Sequence, residues 1–380
     1  MSKTYRLGVI GFAHMHINTL LDRLSELPNV EWVACADTVP AVRPISCKPS
    51  TRRANLQRAR DVTGIPQVYE DYRRMLEEEQ FDIVIFCPEN ARHAVVAEAI
   101  AAKGIHMVTE KPMAASLSGA LRMARAAKAH GVKMMINWPI TWNPAIREMK
   151  ALIDQGVIGD VWQVKWRNGA SMGPLSYNKG EDVLTDVEKG SEWWHQSATG
   201  GGAFLDYCCY GACLSRWYLG EQAVAAYGIK ANLTSPYGDA EDNAIMTVRF
   251  PSALAILEAT WSTWNVGLPT GPIAYGTRGT LVIDRLKNAA GGGARDVVKV
   301  YTSRGHGRTE PDRTVEGDPL PEGRKTLAEE FVHHLETGES LHPTLQVAHN
   351  VEVMAILDAG IRSAASGKLE LVNDAAWCIG

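Results

Sequence analysis

Three stretches carry side chains able to do chemistry. The first is "GVIGFAHMH", residues 8–16, in which an apolar run enters Gly11 and is followed by Ala13, His14 and His16. In a G-x-G-x-x-G turn the first glycine makes the bend, the second lets backbone approach a pyrophosphate, and the third lets helix pack on strand. Gly11, Ala13 and His16 stand in those three places. The bend is kept and only a methyl is added at the second place, so phosphate can still reach the N–H groups of the helix N-terminus. His16 replaces the packing glycine. One of the two imidazoles is expected near pyrophosphate or substrate, the alternative being a solvated or packed histidine. Two residues apart, His14 and His16 do not share a face of a regular helix, and no metal site is expected. Asp37 ends "VACAD", where a carboxylate accepts hydrogen bonds from the adenosine ribose hydroxyls and repels a 2′-phosphate. NAD is therefore favoured, while Arg43, Arg52 and Arg53 keep NADP open.

The second stretch is "TEKP". Lys111 closes an apolar strand at the carboxyl edge where doubly wound sheets bind ligands; its ammonium can hydrogen-bond a substrate oxygen, and Pro112 fixes the chain direction. The third is "GGGAFLDYCCY". Gly200 to Gly202 permit close backbone approach ahead of a helix on which Asp206 and Tyr210, four apart, are neighbours. Oxidising a secondary alcohol needs a base for its proton and a positive neighbour for the developing alkoxide. Lys111 suits the second role, and Tyr210 the first, as acid/base or carbonyl-polarising donor, with its usual pKa of about 10 lowered by the Lys111 cation. Asp206 binds a substrate hydroxyl or orients Lys111.

Further ligand candidates come from the aromatic residues. Nine of the eleven tryptophans lie between 138 and 264; most are expected in packing or an interface. Trp193, Trp194 and His195 close a polar loop just before the glycine run and are the better candidates for stacking on a sugar. Arg167 and Asn168, ending the preceding strand, are expected either to reach the same pocket or to hydrogen-bond at the surface. Cys208, Cys209 and Cys213 read as core fillers, since adjacent helical cysteines point about 100° apart.

The elements that must position these groups follow from hydrophobic pattern. "YRLGVIG", "VEWVACAD", "FDIVIFCP", "IHMVTEKP" and "VKMMINW" are apolar strands separated by helical stretches, the signature of a parallel sheet covered on both faces. A Pro- and Arg-containing insertion, "TVPAVRPISCKPS", delays the helix after the second strand. Beyond residue 137 Trp-rich, β-like runs predominate, with a helix at "AFLDYCCYGACLSRWYLG" and two amphipathic helices in the tail. The fold class is thus α/β: a doubly wound Rossmann domain over 1–136, then an α+β domain over 137–380 with a large mixed or antiparallel sheet. The Gly-rich "NAAGGGARD" reads as a surface connection rather than a phosphate cradle.

With 380 residues, 46% of them hydrophobic and 22% charged, and a net charge of −4, the chain has ample core and no global pull toward nucleic acid or anionic lipid. An early strand leaves no room for a signal peptide, and no apolar run of about 18 residues follows. A cytoplasmic protein with reduced thiols is expected.

At "CPENARH", "TEKPMAAS" and "GGGAFLDYCCYGACLSRWYLG" the chain resembles the glucose-fructose oxidoreductase / inositol dehydrogenase / rhizopine catabolism family, with later echoes in "WNPAIREMKALIDQGVIGDV", "YGTRGTLVID" and "SAASGKLELV". The resemblance covers nearly the whole chain. Its Pro-Asn-x-x-His element is present with one extra residue, as Pro88, Glu89, Asn90 and His93, and its Glu-Lys-Pro motif is Glu110, Lys111 and Pro112. It implies NAD(P)-dependent redox chemistry on a sugar-like carbon, Glu110 near the nicotinamide end, and homodimers or homotetramers through the C-terminal sheet. The cofactor set is then Gly11, Ala13, His14, Asp37, Pro88, Asn90, Glu110 and Lys111; the substrate set is Lys111, Asp206, Tyr210, His195, Trp193 and Arg167. Two other readings stay open: glycoside cleavage through transient oxidation by a retained NAD, and a non-catalytic dinucleotide sensor.

Overall fold

The computed structural model describes residues 3–169, 173–264, 271–287, 293–303 and 309–372. The first unit runs β1 (Tyr5–Phe12), α1 (Ile17–Ser25), β2 (Val30–Ala36), α2 (Arg52–Asp61), β3 (Gln67–Tyr69), α3 (Tyr72–Glu78), β4 (Ile83–Cys87), α4 (His93–Ala101), β5 (His106–Glu110), α5 (Leu117–Ala129) and β6 (Met134–Asn137). All six strands pair in parallel in the order β3-β2-β1-β4-β5-β6. The order reverses between β1 and β4, which opens a crevice at their carboxyl ends. β4 is buried along its full length, as the centre of a doubly covered sheet requires. The insertion does delay α2, as its prolines suggested. β3 was not anticipated: three residues after Pro66 carry too short a pattern to read as a strand.

The second unit runs α6 (Pro144–Asp154), β7 (Val161–Gly169), α7 (Asp186–Gly190), α8 (Cys209–Leu219), β8 (Ala225–Ala231), β9 (Asn243–Arg249), β10 (Leu254–Thr260), β11 (Ile273–Gly276), β12 (Gly279–Lys287), β13 (Ala294–Tyr301), β14 (Arg313–Val315), α9 (Leu327–Thr337), α10 (Val347–Ser366) and β15 (Glu370–Leu371). Its nine-stranded sheet is ordered β14-β13-β12-β11-β7-β10-β9-β8-β15 and is antiparallel except for the β7–β10 pair. The two-residue period of β9 puts Ala244, Met246 and Val248 under α10 and the Phe204–Cys208 turn and leaves Ile245 on the other face, beside the exposed Tyr227, Ile229, Leu254 and Trp162. α9 returns to α1 and α10 to α5, tying the two units together. Among the described residues no helix is long and apolar enough to cross a membrane. Residues 288–292 of the Gly-rich connection lie outside those described.

Candidate active site

The turn after β1 depends on Gly11. Its φ is +84°, and a Cβ there would meet the backbone N of Pro88 at 2.6 Å, so only glycine fits against the end of β4. The N–H of His14 donates to Cys87 O (3.2 Å), and that of His16 to His14 Nδ1 (3.1 Å). Both histidines precede the first residue of α1, so helical periodicity does not separate them. Their ring centroids lie 4.6 Å apart, and His16 Nδ1 is 3.2 Å from Glu110 Oε2 at the end of β5. Glu110 Oε1 accepts from Asn137 Nδ2 at 2.5 Å.

A second segment closes over this turn. Trp193 Nε1 donates to Ala13 O (2.8 Å), and the Trp194 ring stands edge-on to His14 at 4.7 Å. Ala13 and His14 are consequently buried.

At the end of β2, Asp37 Oδ1 accepts from the N–H of Phe12 (3.2 Å) and of Thr38 (2.8 Å). Arg52 grips the same carboxylate with Nε on Oδ2 (2.7 Å) and Nη2 on Oδ1 (2.8 Å), and gives Nη1 to Glu89 Oε1 (2.6 Å). This arginine is therefore committed to two carboxylates, whereas from sequence it counts among three free to meet a 2′-phosphate. Oδ2 of Asp37 is left with the spare acceptor capacity. Glu192 approaches from the Trp193 segment to accept the Arg52 N–H (3.3 Å), and burial pushes its carboxyl up to about 7. Beside Asp37 a cavity of about 300 Å³ is lined by Thr38, Val39, Arg92, Val95 and Val96.

The second and third stretches meet as the sequence suggested. Lys111 Nζ donates to Asp206 Oδ1 (2.8 Å) and to Asp206 O (2.9 Å), and it lies 4.5 Å from the centroid of the Tyr210 ring. All three residues are buried. Asp206 lies in a π-helical turn, Phe204–Cys208, that leads into α8; such turns recur at functional sites. Trp261 Nε1 donates to Asp206 Oδ2 (3.2 Å), while Trp166 stacks on Tyr210 and Trp138 meets it edge-on. Burial alone would lower the Lys111 pKa, but the adjacent Asp206 charge outweighs it and holds the ammonium charged. Tyr210 departs from expectation. Burial raises its pKa, and the Lys111 cation, which sits over the ring face, offsets only part of that rise.

The glycine run serves close approach. A Cβ on Gly200 would strike Ala115 Cβ at 2.6 Å and Asn90 Cβ at 2.8 Å, and Asn90 Nδ2 donates to Gly200 O (2.8 Å). His195 packs against Tyr237 and Trp261 with neither ring nitrogen hydrogen-bonded, and burial lowers its pKa to about 4. It lines a cavity of about 270 Å³ with Trp261, Trp264 and Tyr237.

Arg167 is a correction. Strand alternation turns Trp166 inward, toward Tyr207 O, and Arg167 outward, where it pairs with Glu258 at 3.2 Å on the open sheet face. It does not reach the pocket. The side chain of Asn168 lies outside the described residues. The three clustered cysteines are buried; Cys209 Sγ donates to Asp206 O at 3.1 Å. Glu89, Glu192 and Asn137 were missed by sequence reasoning. Only Glu89 carried a signal, as the extra residue between Pro88 and Asn90.

The crevice suits a dinucleotide. The cavity beside Asp37 lies at one end, and at the other Asn90 Oδ1, His14 Nε2 and His93 Nε2 are buried without a hydrogen-bond partner. Between these ends the turn itself lies under Trp193 and Trp194.

The first unit, residues 5–138, matches the model for an oxidoreductase family with an NAD-binding Rossmann fold, and residues 146–282 match the GFO/IDH/MocA C-terminal domain. The chain is 23% identical over 317 residues to scyllo-inositol 2-dehydrogenase (NAD(+)) of Bacillus subtilis, covering 80% of this chain and 83% of that one. It is 26% identical over 218 residues to D-xylose 1-dehydrogenase [NADP(+)] of Haloarcula marismortui, 57% of each chain. The aldose-aldose oxidoreductase of Caulobacter crescentus, solved with glycerol, superposes with a TM-score of 0.74 at 21% identity over 97% of this chain and 100% of that one.

Proposed function

Because the chain belongs to the GFO/IDH/MocA family of NAD(P)-dependent oxidoreductases, we propose that it interconverts a CH–OH carbon of a sugar or polyol and the corresponding carbonyl, with NAD as cofactor. The observation that carries this reading is the buried Lys111–Asp206 pair beside Tyr210, at the carboxyl edge of the first sheet. Gly11, Ala13 and His14 would hold the pyrophosphate, Asp37 the adenosine ribose, and Pro88, Asn90 and Glu110 the nicotinamide end, once the Trp193 segment withdraws from Ala13. When bound, the nicotinamide supplies or takes up the hydride. Asp37 supports NAD over NADP, since Arg52 is already paired with it and with Glu89.

Lys111 keeps its charge and polarises the substrate oxygen, which lowers the barrier to forming an alkoxide. Tyr210, still a phenol at neutral pH, donates its hydroxyl proton to that oxygen in the direction of reduction; in oxidation it must first be deprotonated. Asp206 holds Lys111 in place, and Trp261 holds Asp206. His195, with Tyr237 and Trp261 around it, binds sugar hydroxyls. The chain assembles as a homodimer or homotetramer through the open sheet face.

The test is a screen of aldoses and polyols with stoichiometric NADH detection. Turnover should vanish in Lys111→Met while NADH affinity stays within about threefold; simultaneous loss of both would place Lys111 in cofactor binding instead. Burial of Ala13 and His14 under Trp193 and Trp194 also favours a second reading, in which NAD is retained between turnovers and transient oxidation drives cleavage of a glycoside. Product release without net NADH formation would identify it.

A further inference from the structure

We propose that His14, His16 and Glu110 bind one divalent first-row transition ion, with Zn²⁺ as the archetype. One ligand atom from each lies within 4.8 Å of the others, close enough to contract onto an ion at roughly 2 Å per ligand. The three come from two elements that the sheet topology brings to one crevice, the turn after β1 and the end of β5.

The charge arrangement points the same way. Glu110 is buried, yet the nearest lysine, Lys111, gives its ammonium to Asp206 rather than to it. Among the described residues the only ion-pair partner of Glu110 is His16, which is charged only when protonated. A buried carboxylate without a fixed cation is costly, and a divalent ion would supply that charge. Asn137 already orients the carboxylate through Oε1, with its own Oδ1 accepting from Trp142 Nε1 at 2.9 Å. Ligating groups are commonly steadied by such outer contacts.

His14 gives an independent sign. It is 2% exposed and its Nε2 has no hydrogen-bond partner, while Nδ1 accepts the His16 N–H; ligation through Nε2 therefore moves the ring proton to Nδ1 and gives up the His16 N–H contact, and the buried Nε2 is the group left for a bound species to satisfy. Two imidazoles and one carboxylate suit Zn²⁺, Co²⁺ or Mn²⁺ better than Ca²⁺ or Mg²⁺. Three protein ligands leave at least one position open for water or a ligand oxygen, as in catalytic rather than structural zinc sites. Such an ion would bring a second positive charge to the end of the crevice where Lys111 stands.

The experiment uses the full-length protein after dialysis against a chelator. Titration with Co²⁺ should give visible d–d absorption saturating at one ion per chain, and His16→Ala, at a half-exposed position, should weaken binding at least about tenfold with an unchanged melting curve. X-ray absorption of the wild type with one equivalent of Zn²⁺ provides a reading independent of any variant, with two imidazoles and oxygen expected around the metal. No saturable binding, binding unaltered in His16→Ala, or a sulfur shell would each overturn the proposal. NADH affinity, measured separately on the same preparation, reports on the dehydrogenase reading whatever the metal result.

Discussion

At the scale of residues, burial sets the protonation of a lysine and a tyrosine in opposite relation to their partners. Lys111 and Tyr210 are both buried, but only the lysine has a carboxylate within hydrogen-bond distance. The lysine therefore keeps its proton, and so does the phenol, whose pKa is raised by the same burial. A raised phenol pKa leaves the reactive tyrosinate scarce at neutral pH. Oxidation should accelerate about tenfold per pH unit from pH 7 to 9 without a plateau, while reduction stays flat. A plateau with an apparent pKa near 7 would move proton transfer to a histidine. Tyr210→Phe should lower the chemical step by roughly 10²-fold, read by single-turnover absorbance at 340 nm; an unchanged rate would also remove the tyrosine from the mechanism.

At the scale of elements, the segment carrying Glu192, Trp193 and Trp194 lies on the turn after β1, and it brings a buried carboxyl with it. Glu192 holds its proton to about 7 in the fold, against 4.5 ordinarily. Between those values the folded chain binds more protons than the unfolded one, so this group's contribution to stability falls as pH rises from 4.5 to 7 and remains lost above it. Glu192→Gln should therefore gain on the wild type between pH 5 and 8, by on the order of 1 kcal/mol or more. Melting curves at the two pH values check this, and an equal offset at both would contradict it. Strands, helices and the delayed α2 were legible because each repeats a pattern over many residues. β3 was not, being three residues long. The outward side of Arg167 was within reach of strand alternation, counted from Trp166. The meeting of His14, His16 and Glu110 was not, because a turn has no periodicity and β5 reaches it only through the sheet order.

At the scale of the whole molecule, the nine-stranded sheet has one face under α8 and α10 and one open, carrying Tyr227, Ile229, Ile245, Leu254 and Trp162. So many exposed large apolar side chains on one face, around the Arg167–Glu258 pair, are characteristic of an interface. The proposed homodimer or homotetramer should be visible by light scattering on a sizing column, and Ile245→Glu should shift it toward monomer without lowering the fraction folded. A wild-type monomer at micromolar concentration would remove the oligomer from the account. The succession of a parallel sheet and a mostly antiparallel one was readable from the change of rhythm along the chain, whereas the return of α9 and α10 to the first sheet's helices was not, since amphipathic helices do not announce their partners. On the reading proposed above, a crevice with an altered glycine turn, roofed by Trp193 and Trp194, still takes a nicotinamide dinucleotide. The most direct test is calorimetric titration of the nucleotide-stripped protein with NADH and then NADPH. Micromolar binding of NADH with much weaker NADPH is the predicted result; binding of neither would mean that Ala13, His16 and the tryptophan roof have closed the site, and would contradict the dehydrogenase reading.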